Sequence, residues 1–221
     1  MSKTEGLKNL RVHTQYRLKD GTRVPGVTTV LGILNKPALV SWAWNLGISG
    51  VDYRKYRDAT AEIGTLAHAM IANDLGAEAP DLSAYSQETI DRAENALISY
   101  YEWKKTQSIE PVMIEKPLVS ERYRYGGTLD GLVYLNGKLT LFDIKTSKAI
   151  YPEMLHQLAA YWMLLKEHDY SVRVAQILRV GRDENEGFDT RKVVKFKPHW
   201  EVFHHCLQIH TLQKQIRKEV G

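Results

Sequence analysis

The chain is poor in sulfur and in long apolar stretches. A single cysteine, Cys206, among 221 residues excludes an internal disulfide framework, a cysteine-rich zinc site and a self-contained iron–sulfur cluster. No apolar run reaches the length of a membrane span, and the opening stretch Met1 to Leu10 is polar and basic rather than a secretory leader. These absences predict a cytoplasmic protein with no membrane partner. No repeat, low-complexity tract or linker breaks the chain, so residues 1–221 read as one domain. Residues 1–110 are mainly helical in pattern, and 111–221 carry the strands.

What is there begins with charge. Residues 1–60 hold ten Lys/Arg against four Asp/Glu, and residues 190–221 hold seven against two. The middle of the chain, 61–189, holds thirteen against twenty. Basic flanks around an acidic centre suit a polyanion gripped at the edges while carboxylates hold metal between them.

Element patterns follow in order. Gln15 to Val24 reads as a short hairpin turning at Asp20-Gly21, and Val27 to Leu34 as a short helix. Ala38 to Leu46, with Trp42 and Trp44 expected in the core, reads as a helix ending at Gly47. Tyr53 to Leu75 is a longer helix stopped by Gly76, and Gln87 to Thr106 an amphipathic one with Ile90, Ala93, Leu97 and Tyr101 on its apolar face. Val112 to Val119, Gly127 to Leu135 and Lys138 to Lys145 then read as successive strands. Pro152 to Glu167 is helix, Val172 to Arg179 and Arg191 to Phe196 are strands, and Trp200 to Lys218 is a last helix. The sum is an α/β protein with a central mixed sheet flanked by helices.

Asn136-Gly137 between two apolar runs is a strong type I′ hairpin sequence, because both central residues need positive φ. Counting outward from a two-residue turn brings Asp130 opposite Asp143, with Cβ atoms expected within roughly 4.5–5.5 Å. Period-2 alternation sets Lys145 on the face of Asp143. Facing carboxylates repel unless a cation lies between them, so the pattern predicts a divalent-metal site. His68, on a helix face shared with apolar residues, is a candidate third ligand. Gln157 and Tyr161, four apart, share a helix face. Thr146, Ser147 and Lys148 directly after the strand offer hydroxyls and a cation for a phosphate. Glu115 reads equally as a neighbour of the metal shell or as an edge-strand surface charge.

Gly64-Thr-x-x-His68, Gly127-Thr-x-Asp130, Asp143-x-Lys145 and Gln157-x-x-x-Tyr161, in this order, resemble the RecB-like branch of the PD-(D/E)XK nucleases. Val24 to Gly32, with Trp42 beyond it, resembles phage-type and mitochondrial-genome-maintenance-type exonucleases. The resemblance spans about residues 24–165. It implies a restriction-endonuclease-like core in which Asp130, Asp143, the Ile144 carbonyl and His68 hold Mg²⁺ or Mn²⁺, with no iron–sulfur cluster. Gln157 and Tyr161 would contact substrate or orient the catalytic set, Asp130, Asp143 and Lys145. The family's proline is absent, since Leu129 precedes Asp130.

The implied activity is a metal-dependent DNA exonuclease in bacterial or phage recombination, repair or replication, inside a bacterial or phage-infected cell. A structure-specific endonuclease and a non-catalytic DNA-binding scaffold are the alternatives. DNA with single-stranded character or free ends is the expected partner; a recombination protein or a second copy of the chain stays open. Tyr125, with Tyr123 and Tyr151, is a candidate for stacking on bases. Arg122, Arg124, Lys148, Lys192, Lys195 and Lys197 are candidates for the phosphate backbone.

Overall fold

Seven strands and six α-helices follow one another in the computed structural model, which describes residues 14–34 and 36–220. The basic opening stretch Met1 to Leu10 lies outside them. Strands β1 (Tyr16–Arg17) and β2 (Arg23–Val24) form the expected antiparallel hairpin, with Gly21 at φ 82° in its turn. Helices α1 (Val27–Leu31), α2 (Pro37–Ile48), α3 (Tyr53–Asp74) and α4 (Gln87–Lys104) come next. The Asp52 side chain caps α3 by accepting from the N–H groups of Arg54 and Lys55, and Ser86 caps α4 through the Thr89 N–H.

The main sheet orders β3 (Ile109–Ser120), β4 (Tyr125–Leu135), β5 (Lys138–Lys145), β6 (Val174–Val180) and β7 (Phe188–Val193) side by side. Only β5 and β6 run parallel, joined across the sheet by α5 (Pro152–Glu167); the other neighbours are antiparallel. The last helix, α6, is Lys197–Val220. This is an α/β fold with a five-stranded mixed sheet flanked by helices.

The hairpin register agrees with the count from the turn. Asn136 and Gly137 take φ of 50° and 75°, and Leu135↔Lys138 through Gly131↔Phe142 are paired. Strand β5 has a neighbour on each edge and helices over each face, so both its faces bury. Leu141 joins the core under α1, α5 and α6, while Phe142 and Ile144 join a second core under α3 and α4. Trp103 of α4 stacks on Phe142 with centroids 5.3 Å apart.

Three expectations need correction here. The buried face of α4 is Ala93, Ala96, Tyr100 and Trp103, while Tyr101 is exposed. The helix is turned toward Phe142 and toward Asp74, which accepts from the Tyr100 hydroxyl at 2.7 Å. Helix α2 buries no residue; Trp44 is 68% exposed, and Trp42 is half-buried in a T-shaped contact with Tyr56. It continues past Gly47 to Ile48, because a helical glycine costs only about 1 kcal/mol. Strand β7 lies about three residues earlier than its apolar pattern suggests, pairing Phe188 to Val193 with β6.

Candidate active site

The site forms where α3 passes the end of β5 and the β1–β2 hairpin lies across β4. Two glycines make the approach close enough. A Cβ on Gly64 would sit 2.8 Å from the Thr146 hydroxyl, so only a bare backbone lets α3 reach the end of β5. A Cβ on Gly127 would sit 2.5 Å from the Tyr161 ring. The first contact brings His68, one turn further along α3, toward β4. The second seats α5 against the start of β4.

A groove of about 1520 Å³ opens there, lined among others by His68, Glu115, Asp130, Lys145, Gln157 and Tyr161. The ligating atoms of His68, Glu115 and Asp130 all lie within 4.8 Å of one another. Glu115 reaches this cluster through a fault in the sheet. The β3–β4 register shifts by one residue between Pro111 and Met113, after which Ile114↔Gly131 and Lys116↔Leu129 bracket Glu115 and Asp130. Glu115 also takes a φ of 48°, a conformation that costs a non-glycine residue about 1–2 kcal/mol. Such strain is a feature of functional positions. Of the two readings of Glu115, the geometry favours the one beside the metal and carries it further, into the donor set itself.

Asp130 Oδ2 accepts the Ile144 N–H at 2.7 Å, and His68 Nδ1 lies 3.7 Å from it, within charge attraction but beyond hydrogen bonding. The Ile144 contact that the structure records is thus through its N–H. Asp143 is 1% exposed, and Lys145 Nζ stands 2.6 Å from its Oδ2. Neither Asp143 oxygen has a hydrogen bond of good geometry, so the Lys145 contact is a charge pairing. Two buried, under-satisfied carboxylate oxygens beside a second carboxylate are expensive unless a cation offsets them.

The electrostatics carry the same tension. Burial would raise the Asp130 carboxyl, but the neighbouring His68, Lys145 and the Ile144 N–H outweigh it and hold it at about 2. Burial lifts Asp143, and the Asp130 charge adds to this; together they prevail over Lys145 and bring it to about 6. Burial would lower Lys145, yet the two aspartates more than compensate and raise it, so it keeps its proton. Burial and the same two charges push the Tyr161 phenol well above its ordinary value. Its oxygen accepts from Gln157 Nε2 at 2.8 Å, which leaves the phenolic hydrogen for another acceptor.

The residues fit a divalent cation. One imidazole, two convergent carboxylates and a third, poorly satisfied carboxylate form a donor set suited to hard-to-borderline ions such as Mg²⁺ or Mn²⁺.

Other candidates fall elsewhere. Tyr125 cannot stack on bases: it is fully buried, donates its hydroxyl to the Ala160 carbonyl at 2.8 Å and packs on Phe203. Tyr123 lies edge-on against Trp200 and His204, whereas Tyr151 is 43% exposed. Thr146 packs under Gly64, the Ser147 hydroxyl donates to the Ala149 carbonyl, and Lys148 is exposed outside the groove lining. Lys192, Lys195 and Lys197 are also exposed and outside it. The groove instead draws cations from residues that the sequence reading passed over: Arg23, Lys214, Arg217 and Lys218. Their helical spacing at 214, 217 and 218 was the available sign.

No protein-family model and no curated protein matches the sequence. Among solved structures, the chain is similar to an alkaline exonuclease from Laribacter hongkongensis, at 13% identity and a TM-score of 0.35 over 75% of this chain and all of that one. Among the described residues, no helix is long and apolar enough to cross a membrane.

Proposed function

We propose that this chain is a divalent-metal-dependent DNA exonuclease. The observation that carries the reading is the convergence of His68, Glu115 and Asp130 within 4.8 Å, beside the Asp143–Lys145 pair and in one groove with Gln157 and Tyr161. His68, Glu115 and Asp130 would hold the ion, with Asp143 next to them. A bound Mg²⁺ or Mn²⁺ supplies Lewis-acid activation of water and of the phosphate oxygens. The protein's own groups do the rest. Lys145, kept protonated by its aspartates, stabilises negative charge as it grows on the phosphoryl oxygens and orients the incoming water. Tyr161, held neutral and fixed by Gln157, has a hydrogen to give to a phosphate oxygen. The Ile144 N–H keeps Asp130 in place.

The test is digestion of end-labelled linear DNA, single- and double-stranded, alongside covalently closed circles, with Mn²⁺ or Mg²⁺ and with EDTA. Release of short labelled products from linear DNA, dependent on metal and absent from closed circles, is the expected result. Rapid linearisation of the circles would make the enzyme an endonuclease. Binding of DNA with no cleavage under any metal would reduce the chain to a scaffold.

A further inference from the structure

The groove has a second wall of opposite charge. The C-terminal half of α6 contributes His210, Gln213, Lys214, Arg217 and Lys218 to its lining, and Arg23 of β2 adds to them. Steps of three, one, three and one place these α6 residues on one helix face. Among the described residues, no ion pair neutralises Lys214, Arg217 or Lys218. Burial and the neighbouring Lys214 and Arg217 depress His210, as expected of a positively charged face. Basic residues in a final turn complement the helix dipole, and that alone would account for Arg217 and Lys218. It does not account for Lys214 a turn earlier, nor for a shared face with Gln213 and His210 that looks onto the carboxylate groove.

We propose that this face of α6 is the anchoring site for the phosphate backbone of the nucleic-acid strand next to the bond being cut. The proposal rests on the nuclease reading. From His210 to Lys218 the helix advances about 12 Å at 1.5 Å per residue. That length covers about three phosphates at a strand rise of 3.4 Å. Lysine and arginine on phosphate read charge rather than base edges, so the anchor holds any sequence alike. The acidic wall repels the same backbone unless its carboxylates are neutralised. A strand is therefore drawn to the α6 side first and meets the carboxylates at one edge.

The test compares the full chain with a Lys214→Ala/Arg217→Ala/Lys218→Ala variant. All three side chains are exposed, and a melting curve checks that the fold persists. Anisotropy of a fluorescein-labelled single strand is read in Ca²⁺ across a salt series, and cleavage is read in Mn²⁺. Three lost phosphate contacts should flatten the slope of log K against log salt by about 2, at about 0.7 per contact. The KM for DNA should rise more than kcat falls. A Lys214→Arg/Arg217→Lys/Lys218→Arg variant should restore the slope. If wild type cleaves DNA but the alanine variant keeps its slope, the anchor is wrong and the nuclease reading stands. Failure of the charge-preserving variant to restore the slope also overturns the anchor. A wild-type chain that neither binds nor cuts nucleic acid overturns both.

Discussion

Asp143→Asn should make the metal-free protein more stable, not less. Asp143 has its carboxyl raised from 3.8 to about 6 by burial and by Asp130, against the pull of Lys145. A raised acid stabilises the fold in its protonated form. That contribution is complete below pH 3.8 and is lost as pH climbs through 6. At pH 8 the ionised group therefore costs about 3 kcal/mol, at 1.36 kcal/mol per unit. Breaking a buried ion pair normally strands the surviving charge. Here Lys145 still feels Asp130, which also raises it. For a chain of this size, about 3 kcal/mol corresponds to roughly 6–12 °C in Tm. The Asn amide must find its own partners, so the lower end is expected. Melting curves in EDTA decide the matter, because the gain should fall to about half by pH 5 as wild-type Asp143 takes up its proton. Mn²⁺ should then close the gap by raising the wild type more than the variant, since a ligand stabilises only the state it binds. A variant that melts below wild type at pH 8 in EDTA, or a gain unchanged between pH 8 and pH 5, would refute the reasoning.

Tyr161→Phe keeps the ring that fills the space above Gly127 but removes the hydroxyl that accepts from Gln157. Stability should fall by only about 1 kcal/mol, and cleavage by roughly 100-fold if the phenol donates to phosphate. Undiminished cleavage would remove Tyr161 from the catalytic set. Gly127→Ala drives a methyl to 2.5 Å from Cε1 of the buried Tyr161 and 3.1 Å from Val27. It should cost about 1–3 kcal/mol in denaturant melts, and a neutral outcome would mean that α5 is not held where the site needs it. Glu115→Gln should weaken Mn²⁺ binding by about 10-fold in calorimetric titrations; equal affinities would return Glu115 to the role of a surface charge.

Much of the fold could be read because its local rules agree with one another. Asn136-Gly137 sets a turn that only one register satisfies, and the run from Leu139 to Ile144 has the apolar density of a strand buried on both faces. Gly76 at φ 101° and the Asp52 cap mark the limits of α3 in the chain itself. Where the reading failed, tertiary packing decided. Tyr101 and Tyr100 are equally apolar in sequence, yet Tyr100 is the one that lies buried against Trp103 with its hydroxyl on Asp74. Trp42 and Trp44 carry the most hydrophobic bulk in α2, but α2 has too few neighbours to bury either.

Glu115 shows why the candidate site was only partly legible. Had β3 kept the pairing with which it begins, Ile109↔Leu135 and Glu110↔Tyr134, Glu115 would stand level with Leu129. One extra residue in β3 moves it level with Asp130, since a one-residue slip changes which face a side chain joins. Alternation counted from sequence has no way to include an insertion that it does not know of. The clue is in Pro111 and Pro117, because proline inside a strand implies an edge or a bulge, and β3 is both an edge strand and the bulged one. The same logic explains why Asp130 and Asp143 could be related by counting: from Gly131↔Phe142 to Leu135↔Lys138 the pairing runs to a tight turn with no register shift. Carboxylates joined by a regular hairpin can be paired by counting. The bulge that spoils the count for Glu115 is what brings a third acid to His68 and Asp130, so the irregularity belongs to the site rather than detracting from the sheet.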